Sequence, residues 1–329
     1  YRLLGRPLCL NPVTVGSTTL NIMLEYKCKT GRLAFGVFFY ISTIITMKIE
    51  YGSRKLTEFP DEICKSSGVE WLDLYNNELE KIPECLWELK DLKFLNISVN
   101  RFTQLSEKIG QLVNLHTMDI AHNRFTSLPS GIGDLQNLTY FLYMSNNRFT
   151  ELPGSITRLK KLRYLNATDN QLTSLPDDIG NMSSLVEIRM YNNKLRSLPE
   201  SIGKLSALKE LHLMNNELEE LPETIGRLSQ LREMHFNGNK LKSLPASIGN
   251  ITTLRYLDLR NNKLSELPDS FFQLRKLRFL DLRANKLTTV PERIGELTSL
   301  EKLDLRWNKM APLPKAVKEL EDRGCTIYF

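Results

Sequence analysis

Asparagine returns in register along most of the chain, at Asn77, Asn100, Asn123, Asn147, Asn170, Asn193, Asn216, Asn239, Asn262, Asn285 and Asn308. The interval is 23 residues at every step except Asn123 to Asn147, where it is 24. The same apolar frame surrounds each Asn; one copy reads Leu254-Arg-Tyr-Leu257-Asp-Leu259-Arg-Asn-Asn262-Lys-Leu264-Ser-Glu-Leu267-Pro268. A unit of this length cannot bury its own apolar stripe. It must stack on a neighbour, which makes the core continuous and nearly one-dimensional.

The alternation of Leu257 and Leu259 around Asp258 has the period of two of a short strand. Stacked copies predict a parallel sheet with one face left to solvent or a partner, because the outward positions are Asp, Asn, His, Arg and aromatic. After each strand the backbone turns and its inward N–H and C=O groups lose ladder partners, which is costly when buried. An amide side chain offers two donors and an acceptor. The Asn series is therefore read as structural, bonding the backbone of its own and the next repeat.

Proline stands six residues after the Asn position at Pro60, Pro83, Pro129, Pro153, Pro176, Pro199, Pro222, Pro245, Pro268, Pro291 and Pro314, with Ser106 the one break. Fixed φ and a missing donor predict an extended edge followed by one 3₁₀ or helical turn. Eleven strands at roughly 4.8 Å spacing give a sheet on the order of 50 Å long, a scale suited to a protein partner rather than a metabolite. The extra residue in Leu138–Met144 reads as a bulge inside a strand. It either re-aims Tyr140, Phe141 and Tyr143 or is a tolerated insertion.

The period of 23 with L-x-x-L-x-L-x-x-N, together with Leu198-Pro-Glu-Ser-Ile202-Gly-Lys-Leu205 and Leu244-Pro-Ala-Ser-Ile248-Gly-Asn-Ile251, resembles the intracellular Ras-group leucine-rich-repeat proteins. That group includes the Scribble and Erbin scaffolds and the plant intracellular Ras-group proteins. The resemblance covers about residues 54–320. It implies an α/β solenoid, a horseshoe with a concave parallel β-sheet and convex 3₁₀ or short helical turns. It further implies a non-enzymatic scaffold without cofactor that binds protein partners on the concave face, small GTPases or phosphatase complexes among them.

The frame divides the chain into an atypical segment 1–46, a capping repeat 47–68, about eleven repeats over 69–320 and a final cap strand in 321–329. Leu33–Ile45 is apolar behind Lys27, Lys29 and Arg32. Thirteen residues are few for a spanning helix, and a basic flank with a short apolar core resembles a signal peptide. A physiological start at Met47 is favoured over a signal or anchor and over a packed N-terminal element. The net charge of +6 is modest and interleaved, unlike the clustered basic stripe of nucleic-acid binders. Five cysteines, Cys9, Cys28, Cys64, Cys85 and Cys325, show no paired cap spacing. Reduced thiols in a cytoplasmic setting are expected, with a secreted or membrane-anchored recognition protein as the alternative. A monomer is expected.

Outward strand columns locate a candidate site. Four residues before Asn stand Asp73, Asn96, Asp119, Tyr143, Asn166, Arg189, His212, His235, Asp258, Asp281 and Asp304. The column six before is aromatic at the N-terminal end and carries Tyr164, Glu187, Glu210, Glu233 and Tyr256 in its middle; the column two before carries Tyr191, Met214, Arg260, Arg283 and Arg306. Exposed aromatics and Arg are the types enriched at hot spots. The middle zone of Glu187, Arg189, Glu210, His212, Glu233 and His235, flanked by Tyr164, Tyr191, Met214 and Tyr256, is the expected partner site, and Arg260, Arg283 and Arg306 on the same concave face are counted with it. The C-terminal Asp and Arg columns read as salt-bridge ladders. His212 and His235 are adjacent in the stack and are expected to titrate near 6.5. As a metal pair they lack further ligands, and no Cys/His cluster has zinc spacing. No phosphate loop, nucleophile elbow or H-E-x-x-H motif occurs in the chain.

Overall fold

A computed structural model describes residues 47–310 and 313–329. Segment 1–46, with its apolar stretch and the expected start at Met47, lies outside the described residues apart from Met47 itself. Among the described residues, thirteen strands form a single parallel sheet in sequence order, β1 to β13. They are β1 (Met47–Glu50), β2 (Val69–Asp73), β3 (Phe94–Asn96), β4 (Thr117–Asp119), β5 (Phe141–Tyr143), β6 (Tyr164–Asn166) and β7 (Glu187–Arg189). There follow β8 (Glu210–His212), β9 (Glu233–His235), β10 (Tyr256–Asp258), β11 (Phe279–Asp281), β12 (Lys302–Asp304) and β13 (Thr326–Tyr328). Two short α-helices, α1 (Asp61–Lys65) and α2 (Lys315–Asp322), lie near the ends, and ten 3₁₀ turns line the convex side between them. This is the expected solenoid.

The core is one continuous cluster of Leu, Ile, Phe and Met from Ile63 to Cys325. Phe102, Phe125 and Phe149 stack at 6.3 Å between centroids in consecutive repeats. On the convex side the chain approaches its neighbour too closely for a side chain at several Ile-Gly pairs. A Cβ on Gly203 would meet the Thr224 carbonyl oxygen at 2.2 Å.

All eleven Asn residues are nearly fully buried or close to it, and each is fully engaged. Asn216 is representative. Its Oδ1 accepts from the Leu195 N–H at 3.0 Å, and its Nδ2 donates to the carbonyls of Met190 and Leu213, each at 3.0 Å, and of Met214 at 3.2 Å. Met190 and Leu195 belong to the preceding repeat. The ladder therefore ties each repeat backwards, not forwards as expected from the sequence. The reason is geometric: the inward turn of one repeat lies under the Asn of the following one. Immediately before Asn the backbone is left-handed, as at Asn192 (φ 55°) and Asn215 (φ 52°), a conformation that Asn tolerates better than most residues.

Two further expectations need correction. The extra residue does not bulge β5, whose pairing with β4 is regular (Thr117↔Phe141, Met118↔Leu142, Asp119↔Tyr143). It falls just before the strand, where Thr139 and Tyr140 both donate to the His116 carbonyl, leaving Tyr140 52% exposed. A strand of three residues has no room for the insertion, so the loop absorbs it. The expectation of reduced thiols also fails for one pair. Cys64, in α1, is disulfide-bonded to Cys85 in the first 3₁₀ turn, with Cα atoms 5.4 Å apart. Pro60 and Pro83 begin equivalent segments, so stacking brings cysteines from adjacent units together although their separation of 21 residues follows no paired motif. Cys325 is free and buried; Cys9 and Cys28 lie outside the described residues.

Removing one rung tests the ladder. Asn216→Ala leaves the Leu195 N–H without an acceptor, while the Met190 and Leu213 carbonyls lose one donor each and keep Asn193 and Asn239. It is expected to cost about 2 kcal/mol, since one orphaned buried group costs roughly 1–3 kcal/mol. The urea midpoint of the variant, against Lys194→Ala as an exposed control, measures it.

Candidate functional site

The Asp/Asn column of the concave face has a structural task. In all seven repeats where the position is Asp or Asn, its side-chain Oδ1 accepts the backbone N–H two residues on. The bonds are Tyr75 to Asp73 (2.9 Å), Ser98 to Asn96 (3.0 Å), Ala121 to Asp119 (2.9 Å) and Thr168 to Asn166 (3.0 Å). They continue with Arg260 to Asp258 (3.1 Å), Arg283 to Asp281 (3.1 Å) and Arg306 to Asp304 (3.3 Å). These are Asx turns that hold the chain as it leaves the strand. The C-terminal Asp residues, expected from the sequence to pair with Arg260, Arg283 and Arg306, thus also hold their turns, and the recurrence of Asx in the column is the signal for this second role.

Four repeats break the column, at Tyr143, Arg189, His212 and His235. The last three are consecutive. None of these side chains caps the following turn, and the N–H groups of Ser145, Tyr191, Met214 and Asn237 have no acceptor among the described residues.

Register brings the middle residues together. Glu187 faces Glu210 and Arg189 faces His212; Glu210 faces Glu233 and His212 faces His235. Arg189 Nε pairs with the Glu187 carboxylate, and its guanidinium lies 5.6 Å from the Tyr164 ring centroid. His212 Nε2 stands 3.2 Å from Glu210 Oε2 and 3.8 Å from Glu187 Oε1. His235 Nε2 stands 3.2 Å from Glu233 Oε2. The two imidazoles stack at 4.4 Å, and His235 stacks on Tyr256 at 4.6 Å. Tyr164 continues the row edge-on to Tyr143 and Phe141, each at 5.4 Å. Tyr191 and Met214 are half-buried on the same face. The aromatic extension through Tyr143 and Phe141 was assigned in the sequence to a separate N-terminal zone.

Arg260, Arg283 and Arg306 stand apart from this cluster. Arg260 pairs with Asp258 at 3.2 Å, Arg283 with Asp281 at 2.6 Å and Arg306 with Asp304 at 2.6 Å; Arg283 also reaches Asp304 at 3.3 Å. Burial raises the Asp258 carboxyl above its ordinary range despite Arg260. Burial acts the same way on Asp304, but Arg306 and Arg283 outweigh it and hold that carboxyl low. These arginines are largely spent on neutralising the Asp column.

His212 does not titrate near 6.5. It is 9% exposed, and burial, then the neighbouring His235 and Arg189, push it down to about 4. Burial, then Glu187, likewise pushes the Tyr164 hydroxyl up to about 12. The unfolded chain therefore takes a proton at position 212 that the folded chain refuses, and stability contributed by neutral His212 is lost as pH falls from about 6.5 to about 4. The loss is expected to be roughly 3 kcal/mol. Urea midpoints across this window should fall with pH in the native chain and more shallowly in His212→Gln.

The family described as "Leucine-rich repeat region" matches residues 106–194, 188–255 and 223–322, and that described as "Leucine Rich Repeat" matches residues 68–89. No curated protein matches the chain. Among solved structures, a leucine-rich-repeat protein of Leptospira interrogans is 32% identical with a TM-score of 0.56, over 84% of this chain and 82% of that one. An internalin of Listeria monocytogenes has the same fold, with 20% identity and a TM-score of 0.64 over 85% and 86% of the two chains. The plant peptide hormone receptor RGFR1, solved in complex with RGF2, is 26% identical with a TM-score of 0.56; the match covers 86% of this chain and 55% of that receptor. Proteins built on this repeat generally mediate protein–protein interaction. With its matches spanning well over half the sequence, the chain belongs to the leucine-rich-repeat family.

Proposed function

We propose that the chain is a non-enzymatic interaction scaffold that binds a protein partner across β6 to β10 of its concave face. One observation carries this reading: the Asx column is broken in three consecutive repeats, at Arg189, His212 and His235. Each break leaves a turn N–H unbonded and substitutes a side chain that takes no part in the fold's recurring hydrogen bonds. The same stretch carries a continuous row from Tyr164 to Tyr256, and aromatic and Arg residues dominate interface energetics. The Ras-group resemblance supports a small-GTPase signalling component or a phosphatase complex as partner, in the cytoplasm.

Immobilised small GTPases, loaded with GDP or a non-hydrolysable GTP analogue, test the partner class. Capture by the native chain is expected to weaken by about 2 kcal/mol or more in Arg189→Glu and in Tyr256→Ala, and to survive Lys204→Glu on the convex side. Equal capture by both concave variants would rule out the surface. No capture of any GTPase removes that partner class.

A second reading, a secreted or membrane-anchored recognition protein, is favoured by Cys64–Cys85, because structural disulfides persist in oxidising compartments. The likeness to a peptide hormone receptor supports it as well. Among the described residues no helix is long and apolar enough to cross a membrane. Thiol alkylation of the native protein before and after reduction separates the two readings. Protection of Cys64 and Cys85 until reduction supports the extracellular one; immediate alkylation of both supports the cytoplasmic one.

A further inference from the structure

We propose that Glu187, Glu210 and His212 form a binding site for a divalent transition-metal ion of the zinc class on the concave face. In the sequence, His212 and His235 as a pair lack further ligands. Parallel register supplies them. Glu187 and Glu210 are neighbours in one column, and one ligand atom from each, with one imidazole nitrogen of His212, all lie within 4.8 Å of one another. The individual separations of 3.2 Å and 3.8 Å from His212 Nε2 bracket the roughly 3.3 Å edge of a tetrahedron with bonds of about 2.0–2.1 Å. Among the described residues this is the one such group.

Charge argues in the same direction. Glu187, Glu210 and Glu233 are stacked at strand spacing, and like charges in such register repel. Among the described residues Arg189, which pairs with Glu187, is the one Lys or Arg in a salt bridge with this column segment, so three carboxylates face one positive charge. A dication would balance the cluster. Three protein ligands leave a coordination position open towards the concave surface.

Arg189 competes for the site by engaging Glu187. Its guanidinium already lies over the Tyr164 ring, where it can rest when a metal takes the carboxylate. The proposal therefore predicts opposite effects from two kinds of substitution. Removing a ligand must weaken binding; removing Arg189 must strengthen it.

The test uses the full chain alone, stripped with chelator, so its outcome is independent of any protein partner. Zn²⁺ is titrated by calorimetry and Co²⁺ by visible absorption, which reports tetrahedral coordination. One ion per chain is expected. Affinity should drop at least about tenfold in His212→Gln and in Glu210→Gln, and rise in Arg189→Met. Thermal unfolding without metal checks that each variant is folded. If His212→Gln unfolds, the contrast between Glu210→Gln and Arg189→Met decides. Absence of binding, or binding unchanged by both ligand substitutions, overturns the proposal. An Arg189→Met chain that binds more weakly overturns it too.

Discussion

Each repeat turns inward once, and at that turn backbone groups enter the core with no strand beside them. The structure depends on how these groups are satisfied. Leucine packing is forgiving, since a neighbouring apolar side chain of similar volume can serve. A buried carbonyl or N–H without a partner is not. Asn answers the need with one acceptor and two donors in a side chain short enough to remain beneath the turn. In most repeats it takes one N–H and reaches three carbonyls, as Asn216 does with Leu195, Met190, Leu213 and Met214. The period of the fold is the period of that solution. Strands, 3₁₀ turns and concave columns follow from it.

A second series of polar side chains works on the outer side of the same strands. Where Asp or Asn occupies the column, the side chain caps the turn behind it, and in the last repeats an Arg balances the resulting row of carboxylates. From Arg189 to His235 the chain gives up that capping. His212 lies almost out of solvent between Glu210, Glu187 and the ring of His235, an arrangement that costs the fold stability in acid. The cluster gathers carboxylates, imidazoles and a guanidinium on one stretch of the concave face, and it is there that we propose binding.

Much of this was legible in the sequence because a strict period converts position into geometry. Once Asn77 to Asn308 were aligned, the residues four and six before each Asn had to stack, and Glu187, Glu210 and Glu233 had to be neighbours. What the columns did not contain was direction and depth. They did not say that Asn reaches back rather than forward, nor that His212 is deep enough to lose its proton affinity while its carboxylate neighbours stand within metal-ligand range. The contact of Cys64 with Cys85 was hidden for a related reason. Their separation approximates the repeat length, so the pairing is visible only after units are superimposed. The inserted residue was misplaced because a strand of three residues is shorter than the apolar run that suggested it.

The backward reach of Asn gives the solenoid a polarity that its near-uniform repeats conceal. Asn100 bonds the Leu79 N–H and the Leu74 carbonyl, both in the unit before it. Each turn is thus closed by a residue made some twenty positions later. A chain synthesised from its N-terminus carries, at every moment, one last turn whose polar groups are still open to water. Acquisition of structure trails elongation by one unit, and the open turn moves along the molecule as a front.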